Sequence, residues 1–140
     1  MTPSSVIAEF PSSKFATSLD AVKATFEHLR DGRYVGRTVL LSAQSYEADG
    51  DQYLMYDGTY RDGTFKFDRP VSSFELAARA AGVPSDRVTV DGDGRSVTVL
   101  DGSPSELACF LDYIYREIYR ILPLPGGESY NFGSELAADN

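Results

Sequence analysis

The chain offers few side chains suited to covalent or acid–base chemistry: one histidine, His28, and one cysteine, Cys109, among 140 residues. An imidazole works as a general base when a nucleophile lies within hydrogen-bond reach and a carboxylate orients its far nitrogen. Nothing in the neighbourhood of His28 supplies that arrangement. It comes after Glu27 on the polar side of a helical pattern and reads as a solvated imidazole. Cys109 falls within an apolar helical stretch, the setting of a small buried hydrophobe rather than of a reactive thiolate. A single cysteine makes no internal disulfide, and one Cys with one His is too few for a zinc site built from thiolates and imidazoles.

Asp91-Gly92-Asp93-Gly94 has the look of the middle of a calcium loop, in which alternate aspartates supply ligands and a glycine supplies the sharp turn. The flanks refuse it. With Gly94 set at the invariant glycine, Thr89 takes the first ligand position and Leu100 the place of the bidentate glutamate. The segment is therefore read as a hairpin turn, and Asp49-Gly50-Asp51 likewise. Paired carboxylates can do acid–base work when burial separates their pKa values, but the aspartates are scattered through turns and single out no pair. A phosphate-cradling glycine loop, a nucleophile elbow and a metal-binding helix motif are all missing. The expectation is a protein with no catalytic site, no cofactor and no metal.

The positive signal is aromatic. Tyr113, Tyr115, Tyr119, Tyr130 and Phe132 lie near one another in sequence, and tyrosine suits interfaces because it buries a large area at small entropic cost while keeping a polar tip. These residues are the candidate partner-binding set. The alternative is that the same rings complete the core.

The elements that must position these residues are marked by periodicity and punctuation. Leu19, Val22, Phe26 and Leu29 recur at helical spacing with Asp20 at the start and Gly32 after the end, which predicts an amphipathic helix. From Arg37 the period becomes two. Val39 and Leu41 share one face of a strand and Leu40 takes the other, where it is short of polar neighbours; a central strand covered on both sides is expected. Strands over 52–56 and 64–67, separated by Asp57-Gly58 and Asp62-Gly63, complete an antiparallel meander. Phe65 and Phe67 should face the core, Lys66 and Asp68 the water. Ser72 with Glu75 predicts a capping box for a short helix through Ala81, with Val71 and Leu76 as its staple and Gly82 as its stop. Val88, Val90, Val97 and Val99 flank the Asp-Gly turn as a second hairpin. Ser103, Pro104 and Glu106 open a last helix whose apolar stripe runs through Leu107, Leu111, Ile114, Ile118 and Ile121.

Residues 1–17 carry Pro3 and Pro11 without apolar periodicity and read as an N-terminal tail. Residues 18–122 form a single domain. Residues 123–140, with Glu128, Glu135 and Asp139 and no base, read as an acidic C-terminal tail able to dock through Tyr130 and Phe132. A composition 42% hydrophobic and 12% aromatic is enough for one core without a disulfide or metal staple. The net charge of −8, with no local cluster of Lys or Arg to offset it, removes the main attraction to a phosphate backbone, so no nucleic-acid partner is expected. There is no leader-like start and no apolar window of membrane-spanning length, hence the expectation of a cytoplasmic protein without a membrane partner.

The order helix, three strands, helix, two strands, helix describes an α+β fold, α-β-β-β-α-β-β-α, with an antiparallel sheet packed against helices. In that order, its size and its acidity, the stretch from 18 to 122 resembles the type III secretion chaperones and the related YbjN-like proteins. The resemblance implies a small, dimeric, chaperone-like protein that holds another polypeptide and has no active site. Two other functions stay open: an immunity or antitoxin protein whose acidic surface neutralises a basic toxin, and a small enzyme or ligand-binding protein with a cleft between the sheet and the last helix.

Overall fold

The computed structural model of the chain describes residues 6–9, 18–30, 34–46, 53–119 and 131–137. The first helix, α1 (Ser18–His28), turns Ala21, Val22, Thr25 and Phe26 to the interior, spaced one, three and four apart as a helical face requires. The meander comes next as β2 (Val39–Tyr46), β3 (Tyr53–Arg61) and β4 (Thr64–Phe67), with β2 interior to the sheet. Asp62 and Gly63 join β3 to β4, both at positive φ (47° and 92°), a backbone whose twist matches that of the flanking strands.

Asp57-Gly58 is not a turn. It lies inside β3, where Gly58 sits between Leu41 of β2 and Phe67 of β4. A Cβ on Gly58 would come within 2.7 Å of the Lys66 carbonyl oxygen, so the glycine marks close approach of two backbones rather than a bend of one.

Helix α2 (Phe74–Ala81) starts one residue later than the sequence suggests: Ser73, with extended backbone, is the cap, and its Oγ accepts from the Leu76 amide at 3.4 Å. Val71 is buried but Leu76 is exposed, so the expected staple is not made. Gly82, at φ 77°, closes the helix as expected. After a single 3-10 turn, β5 (Val88–Val90) and β6 (Ser96–Val99) form the second hairpin, its loop braced by the Arg95 amide donating to Asp93 Oδ1 at 2.9 Å. Helix α3 (Pro104–Tyr113) carries the full capping box, the Glu106 amide donating to Ser103 Oγ at 3.1 Å and the Ser103 amide to Glu106 Oε1 at 3.0 Å.

Two further strands lie in the segments read from sequence as tails. These are β1 (Val6–Glu9) and β7 (Asn131–Ala137), which pair with each other and, through β7, with β2. Phe132 and Leu136 occupy alternate positions of β7 and are buried, and this anchors the strand. The described residues form an α+β fold with a seven-stranded antiparallel sheet in the order β1-β7-β2-β3-β4-β6-β5.

The three helices pack on one face of that sheet. Phe26 of α1 meets Tyr60 and Phe65 edge-on at 5.0 and 5.8 Å, Phe74 of α2 meets Phe67 at 6.0 Å, and Phe110 of α3 meets Phe65 at 5.7 Å. Val39, Leu41, Ala43, Val97 and Val99 fill the remaining inward positions. The buried polar pair on this face is satisfied: Thr25 Oγ1 lies 2.9 Å from Ser134 Oγ and donates to the Ala21 carbonyl at 3.1 Å, so each hydroxyl keeps a partner away from water.

Candidate functional site

Alternation along the strands sends every second residue to the other face. On β7, β2, β3 and β4 the register aligns those residues in rows. One row reads Glu135, Leu40, Thr59, Lys66, each directly opposite the next. The row beside it reads Gly133, Ser42, Asp57. Toward the other end lie Arg61 and Thr64, the latter bonded across to Thr98 with 2.8 Å between hydroxyl oxygens.

Among the described residues no helix covers this face. It holds a trough of 580 Å³ whose lining includes Leu40, Ser42, Asp57, Thr59, Lys66 and Glu135. An adjoining hollow of 430 Å³ is lined by Thr38, Thr59, Arg61, Asp62, Thr64 and Lys66. The floor therefore mixes carboxylates (Asp57, Asp62, Asp68, Glu135), cations (Arg61, Lys66) and hydroxyls around a half-buried leucine. Partial burial raises the pKa of Asp57, helped by the neighbouring charge of Asp68 and opposed by Arg69.

The aromatic candidates divide. Tyr115 is 1% exposed and Phe132 8% exposed; both are interior residues. Tyr113 and Tyr119 are partly buried and pack against the core. Tyr130 lies outside the described residues. Tyr115 follows the buried Ala108 and Leu111 at helical spacing, and a π turn over Ile114–Ile118 comes with it, in which the Tyr119 amide donates to the Ile114 carbonyl at 2.8 Å. One extra residue in that turn rotates the rest of the helix away from the continuous α-helical stripe expected through Ile118. Tyr119 then stacks on Tyr56 with 4.9 Å between ring centres, and its hydroxyl donates to the Arg69 carbonyl at 2.7 Å. The Arg69 guanidinium lies 4.2 Å above the Tyr56 ring on a cation–π contact. Burial pushes the Tyr119 and Tyr115 hydroxyls well above the ordinary phenol range, so both stay neutral. This stack closes one end of the core.

Between the sheet and α3 the space is filled by Leu107, Ala108, Phe110, Leu111, Ile114 and Tyr115, all buried. His28 makes a 2.9 Å hydrogen bond with the Tyr34 hydroxyl at the exposed end of α1. Among the described residues no group of three or more His, Cys, Asp or Glu side chains is placed to hold a metal ion, and no helix is long and apolar enough to cross a membrane. The residues of the open face escape a motif search because none of them is chemically unusual. The one signal in the sequence is Leu40, an apolar side chain on the side of its strand away from Val39 and Leu41. Compared with family models, with curated proteins and with solved structures, the chain matches none.

Proposed function

We propose that this protein is a non-enzymatic, chaperone-like module that holds another polypeptide on the open face of its sheet. The observation that carries the reading is the one-sided cover. Among the described residues three helices pack on one face, while the other presents a trough of 580 Å³ lined in part by Leu40. An antiparallel sheet tolerates one face in water when that face is polar throughout. A half-buried leucine flanked by both signs of charge is the composition of an interface, with an apolar centre and a polar rim. A trough floored by strands and without an opposing wall among the described residues suits an extended surface rather than a small molecule, which needs most of its own surface enclosed. The order of elements within 18–122, similar to that of the secretion chaperones, supports the same reading.

The test is site-specific photocrosslinking in the native host, with the reactive side chain placed at Thr59 on the open face and, as control, at Arg79, exposed on α2. The expected result is a discrete protein adduct from Thr59 and none from Arg79. Adducts equally from both positions, or from neither, would remove the proposal.

A further inference from the structure

We infer that the hollow of 430 Å³ beside the trough is an oxyanion site that takes a phosphoryl group. It is built by the short turn between β3 and β4. The turn sets Thr59 directly opposite Lys66 and Arg61 directly opposite Thr64, and all four line the hollow, so the two cations are diagonal neighbours. Diagonal positions of an antiparallel pair are about 7 Å apart, within reach of long side chains. A phosphoryl group between them takes a charge-assisted hydrogen bond from each. Thr38, Thr59 and Thr64 line the same hollow half-buried and supply hydroxyls for the remaining oxygens. The Thr64 hydroxyl lies 2.8 Å from that of Thr98; with Thr98 as the donor of that bond, the Thr64 hydrogen is left for the ligand.

The charges around the hollow select the ligand. Among the described residues neither Arg61 nor Lys66 makes an ion pair, although the chain has 21 acidic residues to 13 basic. Two neighbouring cations without a counter-ion repel each other, and an anion placed between them relieves this. Among the described residues the one carboxylate in the lining is Asp62, and it is engaged by the turn before β2, where both of its oxygens accept from the Gly36 amide at 3.0 and 3.2 Å. A phosphate monoester carries close to two negative charges at neutral pH and three acceptor oxygens, which matches two cations with hydroxyls beside them. A carboxylate brings one charge and two oxygens. A nucleic-acid strand does not fit, since Asp57, Asp68 and Glu135 line the adjoining trough and repel an extended polyanion. The net charge of −8 leaves room for one small group, because physiological salt screens charges farther away than about 8 Å. The hollow takes its ligand whether or not the trough holds a polypeptide.

Amide NMR of the full chain decides this, with inorganic phosphate titrated at constant ionic strength and, in parallel, a short peptide carrying one phosphoserine. Wild type should show saturable shifts centred on 59–66, with a Kd for inorganic phosphate of about 1 mM or below. Arg61→Gln and Lys66→Gln should each weaken binding about tenfold. Thr59→Val keeps the side-chain shape and removes the hydroxyl, and should weaken it about threefold. Lys23→Gln, at an exposed position on α1, should bind as wild type does, and thermal melting of each variant verifies that it is folded. A peptide that binds more tightly than inorganic phosphate and also shifts β2 and β7 assigns the phosphoryl group to a polypeptide lying in the trough; equal or weaker binding assigns the site to free phosphate. No saturable shift at 59–66 up to about 20 mM phosphate would overturn the proposal, as would Arg61 and Lys66 variants that bind like wild type or a Lys23 variant that loses as much as they do. The photocrosslink from Thr59 reports on the polypeptide separately, so failure of phosphate binding leaves that reading standing.

Discussion

Glu106 shows how one side chain fixes an element. Its carboxylate accepts from the Ser103 amide and from Arg87 Nη2 at 3.1 Å, and these donors hold its pKa below the ordinary glutamate range. The folded-state value is depressed relative to the unfolded chain, so the stabilisation is present above the unfolded value and is lost as pH falls through the folded one. Glutamine at this position keeps an acceptor for Ser103 but gives up the charge. Glu106→Gln should therefore lower stability at pH 7 by roughly 0.5 kcal/mol, the size expected of a solvent-screened pair, and the deficit should shrink at acid pH as the depressed folded-state value is passed. Urea unfolding at the two pH values checks it; a deficit that persists in acid would show that the charge is not what matters. Gly58 makes a different point at the same scale. Its neighbour Asp57 gives it the look of a turn, yet it is the Lys66 carbonyl, 2.7 Å from where a Cβ would sit, that explains the glycine. A close approach made by a neighbouring strand leaves no local trace in the sequence.

At the scale of elements, the legible parts were those that carry their own punctuation. Caps mark α3 at Ser103 and stop α2 at Gly82, and an Asp-Gly pair at positive φ marks the turn after β3. The order from α1 to α3 is set out by these local signals. The terminal strands carry no such marks: β7 has only Phe132, Ser134 and Leu136 in alternation with Gly133 and Glu135, and it is a strand because β1 and β2 pair with both of its edges. The π turn was equally hidden, since the residues Ile114–Ile118 fit an α-helical stripe as well. The placement of β7 has a consequence for truncation. Removing 131–140 strips β2 of one partner, takes Phe132 and Leu136 from the interior and leaves Thr25 without Ser134. A chain ending at residue 130 should lose its cooperative thermal transition or precipitate. If calorimetry found it melting like the full chain, β7 would not be part of the stable sheet.

For the whole molecule, the distribution of surface matters more than any motif. The aromatic clusters join helices to one face of the sheet, and the aromatic candidates at the C-terminal end belong largely to that closed side, with Tyr115 and Phe132 inside it and Tyr119 stacked on Tyr56. From Leu40 the sequence suggests a strand covered on both sides, whereas among the described residues no helix covers its outer face. Rows such as Glu135, Leu40, Thr59 and Lys66 exist only in the folded register, drawn from four strands spread over the chain. The claim that this face binds protein is tested most directly by light scattering on the chain and its Thr59→Arg variant, prepared from the native host. Wild type should elute as a complex heavier than the 15.3 kDa of one chain, and the variant, folded and with the same melting temperature, should elute at that mass. A wild type that runs at the mass of a single chain, or a variant as heavy as the wild type, would contradict it.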